Sequence, residues 1–129
     1  MEDMVPKRIL IVDDEEVVRS LCTRVLTPLG YSVETASDGD RALSLVASHP
    51  VDLIITDYRM PGGLDGLELG DRVRRRNPNT RIILMTAFPA IDNAVRMLRM
   101  GASDYLIKPF EKAELIQCVQ SSLAKPSMV

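Results

Sequence analysis

The sequence has no apolar stretch long enough to cross a membrane, and its first residues do not lead into the apolar core of a signal peptide. A membrane-spanning helix needs about 20 consecutive, mostly apolar residues. A secretory signal needs an apolar segment behind its basic residues. We therefore expect a chain that does not insert into a membrane.

Cysteine and histidine are also scarce. The two cysteines, Cys22 and Cys118, lie far apart and form no Cys-x-x-Cys pair. We interpret them as reduced packing residues of a cytosolic protein, and not as a redox or metal site. The single histidine, His49, precedes Pro50 without other ligand residues nearby, and we expect it at a helix end.

The sequence has little excess of either charge, because its 16 basic and 18 acidic residues leave a formal charge of −2. Bulk attraction to nucleic acid or to acidic lipid is not implied. The run Arg72–Arg76 (RVRRR) is basic, but it lies at the predicted C-terminal end of a helix, where cations favourably oppose the dipole. Without aromatic neighbours for base stacking, we predict no direct nucleic-acid binding.

What the chain does contain is a regular alternation of strand and helix patterns, over a length that suits one globular domain. The predicted strands are Arg8–Val12, Ser32–Ala36, Leu53–Thr56, Arg81–Met85 and Asp104–Ile107. Apolar residues at helical spacing follow each strand. Five such repeats predict an α/β fold, in which helices cover both faces of a parallel sheet.

The helix patterns have recognisable ends. The first pattern continues to Leu29 and stops at Gly30, and the second ends before His49. Asp65 and Glu68 form a capping-box pattern that opens the third helix. The fourth and fifth patterns are marked by four apolar residues each, which are Ile91, Ala94, Val95 and Leu98, and Leu115, Ile116, Val119 and Leu123.

Polar residues that could carry chemistry follow four of the strands. Asp13 and Asp14 come after the first strand, Asp57 after the third, Thr86 after the fourth and Lys108 after the fifth. In an open α/β sheet, ligands bind outside the carboxyl ends of the strands. Each residue alone has a simpler reading, since an aspartate can cap a helix and a lysine is usually a solvated charge.

Together these residues predict a metal and phosphoryl-transfer site. Three neighbouring carboxylates repel one another unless a cation joins them, and oxygen-only ligands favour Mg²⁺, with Mn²⁺ as the alternative. A carboxylate nucleophile beside a metal, a hydroxyl and an ammonium is equipped to accept a phosphoryl group.

Four segments carry a family resemblance. "ILIVDDEEVVR", "DLIITDYRMP", "LMTA" and "GASDYLIKPF", in this order and spacing, resemble the receiver domain of two-component response regulators. The resemblance covers residues 7–123 of a single domain, 1–129, and leaves 124–129 as a tail or the start of a linker. It implies a flavodoxin-like doubly wound sheet of five strands, in the order 2-1-3-4-5, with five helices in three layers.

The resemblance also implies roles for individual residues. Asp57 matches the phosphoacceptor, and Asp13 and Asp14 match the acidic pair that holds Mg²⁺. Arg59 matches the position whose backbone carbonyl completes the metal site. Thr86 matches the hydroxyl that moves to the phosphoryl group.

Three further positions have counterparts in the family. Lys108 matches the lysine that pairs with the phosphoryl oxygens, and its bond to Pro109 is commonly cis in this family. Tyr105 matches the switch aromatic, which turns inward when the hydroxyl shifts.

The implied partners are a sensor histidine kinase or phosphotransfer protein, which supplies the phosphoryl group, and an output domain or downstream protein. The output face of the family consists of the fourth helix, the fifth strand and the fifth helix. Met97 and Met100 on the fourth helix are interpreted first as core or gap-filling residues. The alternative is that they are exposed on this face, where methionine would suit a partner or a second copy of the chain. The starting methionine suggests that the domain opens its protein.

One departure from the family pattern lies beside the phosphoacceptor. The segment "MPGGLDG" is one residue longer than usual, with Gly62-Gly63 where a single residue is typical. It is either a tolerated surface insertion or a more open lip over the site, and the second reading predicts a shifted rate of phosphate loss.

Two other functions are less well supported by the residues. A phosphatase of the haloacid-dehalogenase type places a second aspartate two residues after its nucleophile, and that position is Arg59 here. A flavodoxin-like cofactor binder needs phosphate-binding donors after the first strand, where "DDEE" would repel a phosphate. We therefore predict a signalling switch and not an enzyme that turns over a substrate.

Overall fold

The computed structural model of the protein describes residues 5–60, 63–92, 94–99 and 101–125. The strands are β1 Arg8–Val12, β2 Ser32–Ala36, β3 Leu53–Asp57, β4 Arg81–Thr86 and β5 Asp104–Ile107. The helices are α1 Glu16–Leu26, α2 Gly39–Ser48, α3 Gly66–Arg76, α4 Pro89–Asp92, α5 Ala94–Arg99 and α6 Lys112–Ala124, and a 3₁₀ turn, Thr27–Leu29, follows α1. Among these residues, no helix is both long and apolar enough to cross a membrane.

The five strands form one parallel sheet in the order β2-β1-β3-β4-β5. The predicted α/β class and strand order are therefore confirmed. Helices α4 and α5 together occupy the place of the fourth predicted helix, and α6 occupies that of the fifth. The order places β1 beside β3, which makes the first and third strand ends neighbours.

Alternate residues of the central strands face opposite sides of the sheet, and each side has its own core. On one side, Ile9, Ile55 and Ile83 pack with side chains of α1 and α6. On the other side, Leu10 and Ile54 pack with side chains of α2, α3 and α5. Because the strands are apolar on both faces, the sheet is stable only as the middle of three layers.

The cysteines lie in the first of these cores. Cys22 on α1 and Cys118 on α6 are both buried, unbonded and members of one cluster. Burial raises the pKa of each thiol to about 12, so neither is a thiolate at neutral pH. These properties fit the packing role that we expected.

The ends of two helices agree with their sequence patterns, and one does not. Asp65 and Glu68 form the predicted capping box of α3, and His49 is the C-cap of α2. Helix α1, however, ends at Leu26 and continues only as a 3₁₀ turn. The reason is Pro28, which has no N–H for the next helical hydrogen bond.

The apolar pattern of the fourth predicted helix marks its exposed side. Ile91, Val95 and Leu98 are 71%, 60% and 43% exposed, whereas Met97 is fully buried. The core reading of Met97 is therefore confirmed, because its side chain packs in the core beneath α5, and the alternative of an exposed methionine at this position is wrong. Met100 and Gly62 lie outside the described residues.

Candidate functional site

The strand register brings the first and third strand ends to the same level of the sheet. Val12 is paired with Thr56, so the residues that follow, Asp13 and Asp57, emerge side by side. Strand β3 extends one residue beyond its predicted end, and Asp57 is its last residue. Asp57 is therefore held within a paired strand, and Asp13, just beyond β1, is held by a hydrogen bond from its amide to the Ala36 carbonyl at 3.2 Å.

Asp13, Asp14 and Asp57 form one carboxylate cluster, in which one oxygen of each lies within 4.8 Å of the others. Asp13 is completely buried, Asp57 is 13% exposed along its side chain, and Asp14 is exposed. The cluster therefore combines a buried anchor, a reachable central carboxylate and an outer carboxylate that faces solvent.

Lys108 is the cation that balances part of this charge. Its Nζ lies 2.7 Å from Oδ2 of Asp13 and 3.3 Å from Oδ2 of Asp57, with Glu15 3.7 Å away. The other oxygen of Asp13 accepts a hydrogen bond from the Glu15 amide at 2.9 Å. Asp13 is thus satisfied on both oxygens, as a buried carboxylate requires.

The environment changes the pKa of the two groups that face each other. Burial raises the pKa of Asp57 to about 6, and Asp13 and Asp14 add to the rise, although Lys108 opposes it. For Lys108, burial lowers the pKa, but the hydrogen bonds and charges of Asp13 and Asp57 outweigh burial and raise it. At neutral pH, Asp57 is therefore mainly ionised and Lys108 is charged.

The donor set fits a hard divalent cation. Three carboxylates and one ammonium leave an excess of negative charge, and all of the candidate ligand atoms are oxygens. Mg²⁺ and Mn²⁺ prefer such ligands, and Mg²⁺ usually retains several waters beside one or two protein carboxylates. The solvent-facing Asp14 leaves room for that hydration.

Thr86 ends β4, but its hydroxyl is engaged outside the carboxylate cluster. Its Oγ1 donates a hydrogen bond to Oδ2 of Asp92 at 2.5 Å and accepts one from the Phe88 amide at 2.9 Å. Both Thr86 and Asp92 are almost fully buried. The hydroxyl is therefore fixed by two partners on the segment that begins α4.

Arg59 contacts the same buried aspartate. Its Nε donates a hydrogen bond to Oδ1 of Asp92 at 2.7 Å, and its terminal nitrogen lies 2.5 Å from that oxygen. The guanidinium also lies over the ring of Tyr58, 5.9 Å from its centre. The sequence assigns Arg59 only a backbone role, whereas the structure gives its side chain a specific partner.

Two further predicted features are the switch aromatic, Tyr105, and the peptide bond between Lys108 and Pro109. Tyr105 on β5 is partly buried and packs against the second core, next to Leu84 in the strand register. The Lys108–Pro109 peptide bond is cis. Within the described residues, the structure thus gathers Asp13, Asp14, Asp57 and Lys108, and it holds the Thr86 hydroxyl on Asp92.

Asp92 is the residue of this region that sequence reasoning missed. An acid in the first turn of a predicted helix is ordinarily explained by the helix dipole. Its spacing from Thr86 and Arg59 carries no periodic signal, so nothing in the pattern distinguishes it from a solvated charge.

The backbone behind Asp57 is tightly packed against α3. The Gly66 amide donates to the Tyr58 carbonyl at 2.8 Å. A Cβ at Gly66 would lie 2.4 Å from the Asp57 carbonyl oxygen, whereas a Cβ at Gly63 would meet nothing within 4 Å. Glycine is therefore required at position 66, where the first residue of α3 lies against the backbone of the candidate nucleophile.

We compared the sequence and the structure with those of known proteins, and both match one kind of domain. The sequence model of the response regulator receiver domain matches residues 9–120. The described structure resembles the crystal structure of the receiver domain of NtrX from Brucella abortus with a TM-score of 0.85 and 33% identity, covering 92% of this chain and 99% of that one.

Curated relatives are longer proteins. The chain is 41% identical to the regulatory protein AtoC of Escherichia coli (strain K12) over 121 residues, which are 94% of this chain and 26% of that protein. It is 41% identical to the response regulator MprA of Mycobacterium sp. (strain KMS) over 122 residues, which are 95% of this chain and 53% of that protein. The chain therefore spans about half or less of the length of these relatives.

Proposed function

The chain belongs to the family of response regulator receiver domains, and we propose that Asp57 is its phosphoacceptor. Receivers are phosphoacceptor signalling domains of two-component systems and not conventional enzymes. The observation that carries the assignment is the position of Asp57, whose partly exposed carboxylate lies between Asp13, Asp14 and the ammonium of Lys108.

The proposed reaction is a transfer from the phosphohistidine of a sensor kinase or phosphotransfer protein. A carboxylate oxygen of Asp57 forms a bond to phosphorus, while the bond between phosphorus and the histidine nitrogen breaks and the imidazole leaves with the electron pair. The ionised form of Asp57 is the nucleophile. Lys108, already 3.3 Å from its carboxylate, offsets the negative charge that the phosphoryl group brings.

Asp13, Asp14 and Asp57, with the backbone carbonyl of Arg59, would hold Mg²⁺, and Mn²⁺ is the alternative. A bound divalent cation would supply positive charge beside the transferring oxygens. The chain's own contribution is to orient Asp13 through Lys108 and the Glu15 amide, which fixes one acid of the pair before any ion arrives.

The proposed consequence of phosphorylation is a shift between two arrangements of one surface. The Thr86 hydroxyl turns to the new phosphoryl group, and Tyr105 moves inward behind it. The surface is formed by α4, α5, β5 and α6, and its described residues include the exposed apolar side chains of Ile91, Val95 and Leu98 on the helices and Ile107 on the strand. Exposed apolar side chains support binding of an output domain, a downstream protein or a second copy of the chain.

The domain bounds and the cellular location are also part of the proposal. We treat residues 1–129 as a single receiver domain with its core at 7–123. The two buried, unbonded cysteines fit a reducing compartment, which supports a cytoplasmic location. Direct nucleic-acid binding by this domain is not part of the proposal, because the arginines at the end of α3 lie in its last turn, where they oppose the helix dipole.

Mass spectrometry of the intact protein tests this function. Incubation with a small acyl phosphate and Mg²⁺ should add one phosphoryl group, and EDTA or the substitution Asp57→Asn should prevent the addition. Asp71→Asn is the matched control, because Asp71 is an exposed acid on α3, and it should retain the adduct. Failure of the wild type to form a Mg²⁺-dependent adduct would refute the assignment.

A further inference from the structure

Asp92 is a buried acidic residue that has no role in the proposed phosphoryl transfer. It is 3% exposed and lies in the first turn of the helical region after β4. Burial of a carboxylate is costly unless its oxygens are paired. Both oxygens are paired here, one with the Thr86 hydroxyl and one with Arg59.

These two partners lie on the two segments of chain that adjoin Asp57. Thr86 follows Met85, which is paired with Asp57 in the sheet, and Arg59 lies two residues after Asp57. Asp92 therefore joins the end of β4 to the loop that follows β3.

The hydrogen bonding of Thr86 makes its two arrangements mutually exclusive. A threonine hydroxyl has one proton to donate, and Thr86 gives it to Oδ2 of Asp92. The Phe88 amide donates a hydrogen bond to Oγ1 of Thr86, so that oxygen acts as an acceptor toward Phe88 and gives its proton to Asp92. Thr86 cannot donate to a phosphoryl oxygen until Asp92 releases it.

We propose that Asp92 is a positioning residue that competes with the aspartyl phosphate for the Thr86 hydroxyl and holds the unphosphorylated domain in its resting arrangement. This role rests on the proposed function of Asp57. Arg59 makes release feasible, because it keeps Oδ1 of Asp92 paired when the hydroxyl leaves. The buried carboxylate of Asp92 therefore retains its charged partner when the hydroxyl leaves, which limits the cost of the release.

The expected size of the effect follows from the type of bond. A hydrogen bond to a charged group is worth about ten- to a hundredfold in an equilibrium constant. In the unphosphorylated protein, Thr86 either points toward Asp57 (inward) or is bonded to Asp92 (outward). Removal of Asp92 should therefore raise the ratio of inward to outward Thr86 by about tenfold or more.

The test uses the methyl resonance of Thr86 in ¹³C-labelled protein. The chemical shifts of this methyl group in wild-type protein without and with acyl phosphate and Mg²⁺ define the two ends of a line in the spectrum. The unphosphorylated Asp92→Ala protein should lie displaced along this line toward the phosphorylated end, and Asp92→Asn, which keeps an uncharged acceptor, should be displaced less. Asp71→Ala removes the acid of an exposed Arg75 ion pair on α3 and should remain at the wild-type position.

A second readout separates positioning from general stability. Asp92→Ala should accelerate phosphorylation by acyl phosphate in the wild-type background and give no acceleration in the Thr86→Val background, where the hydroxyl is absent. Equal acceleration in both backgrounds would show that Asp92 does not act through Thr86.

The outcomes distinguish this role from the underlying function. If the wild type forms the adduct but neither Asp92 variant moves the Thr86 resonance, the positioning role is wrong and the phosphoacceptor assignment stands. If Asp92→Ala does not fold, the near-isosteric Asp92→Asn decides by the same criterion. Absence of an adduct in the wild type would refute the function and this role with it.

Discussion

Burial and the ion pair with Lys108 act on Asp57 in opposite directions. Burial raises the pKa of Asp57 to about 6, and Lys108 holds it below the value that burial would otherwise impose. A nucleophile with such a pKa is ionised at neutral pH and yet poorly solvated. At the scale of the residue, Lys108 thus prepares the nucleophile before it meets any phosphoryl group.

Replacement of Lys108 should therefore raise the pKa of Asp57. In EDTA, the side-chain ¹³C resonance of Asp57 should titrate with a midpoint near pH 6 in the wild type. In Lys108→Met the midpoint should lie higher, because the nearest cation, 3.3 Å away, is lost. Lys112→Met removes an exposed lysine of α6 and is the control, with no expected change. A midpoint that falls or stays constant in Lys108→Met would contradict this account.

Prediction from sequence succeeds for the acids and fails for Asp92, and the reason is physical. The positions of Asp13 and Asp57 follow from backbone topology, since parallel strands end at the same edge of the sheet. The contact between Asp92 and Thr86 depends on a hydroxyl orientation and on an arginine from another loop. Such side-chain networks have no sequence period, so only the folded geometry reveals them.

At the scale of the element, α3 is built against the phosphoacceptor strand. Its capping box begins at Asp65, and its first residue, Gly66, lies against the carbonyl of Asp57. The sequence pattern predicts the capping box, because its two residues are three positions apart. The close approach of Gly66 is a tertiary contact, and a glycine in the first position of a predicted helix gives no sign of it.

A single methyl group at Gly66 should disturb both stability and chemistry. Gly66→Ala places a Cβ 2.4 Å from the Asp57 carbonyl oxygen, so the backbone must shift. We expect a loss of about 1–3 kcal/mol in the free energy of unfolding and slower phosphorylation by acyl phosphate.

The neighbouring glycine is a control for this prediction. Gly63→Ala meets open space and should change the free energy of unfolding by less than about 0.5 kcal/mol. Urea denaturation of the two variants measures the contrast. Equal effects at the two positions would show that the contact with Asp57 is not the cause.

The fourth predicted helix shows the limit of periodicity at this scale. Its apolar spacing correctly predicts a helical region, but Ile91 and Val95 face solvent while Met97 enters the core. A helical period reports that one side is apolar and does not say whether that side is covered. An uncovered apolar side is itself informative, because it marks a surface that can bind a partner.

At the scale of the whole molecule, the pKa of Asp57 links stability to pH. Its folded pKa of about 6 exceeds the ordinary value of 3.8, so the folded protein binds this proton more tightly than the unfolded chain does. The resulting stabilisation is fully present below the ordinary pKa and is lost as the pH rises through the folded pKa. At pH 7 without metal, ionised Asp57 therefore lowers the free energy of unfolding by about 1–3 kcal/mol.

Neutralising Asp57 should accordingly stabilise the metal-free domain. In EDTA at pH 7, we expect Asp57→Asn to unfold with a free energy about 1–3 kcal/mol above that of the wild type, and the difference should fall by about half at pH 5. Added Mg²⁺ should stabilise the wild type more than the variant, because a ligand that binds only the folded state raises its stability by mass action. Asp71→Asn, at an exposed acid, should follow the wild type in all three conditions. Urea denaturation measures each value, and a variant that is less stable than the wild type in EDTA would show that the Lys108 ion pair outweighs the cost of burying the charge.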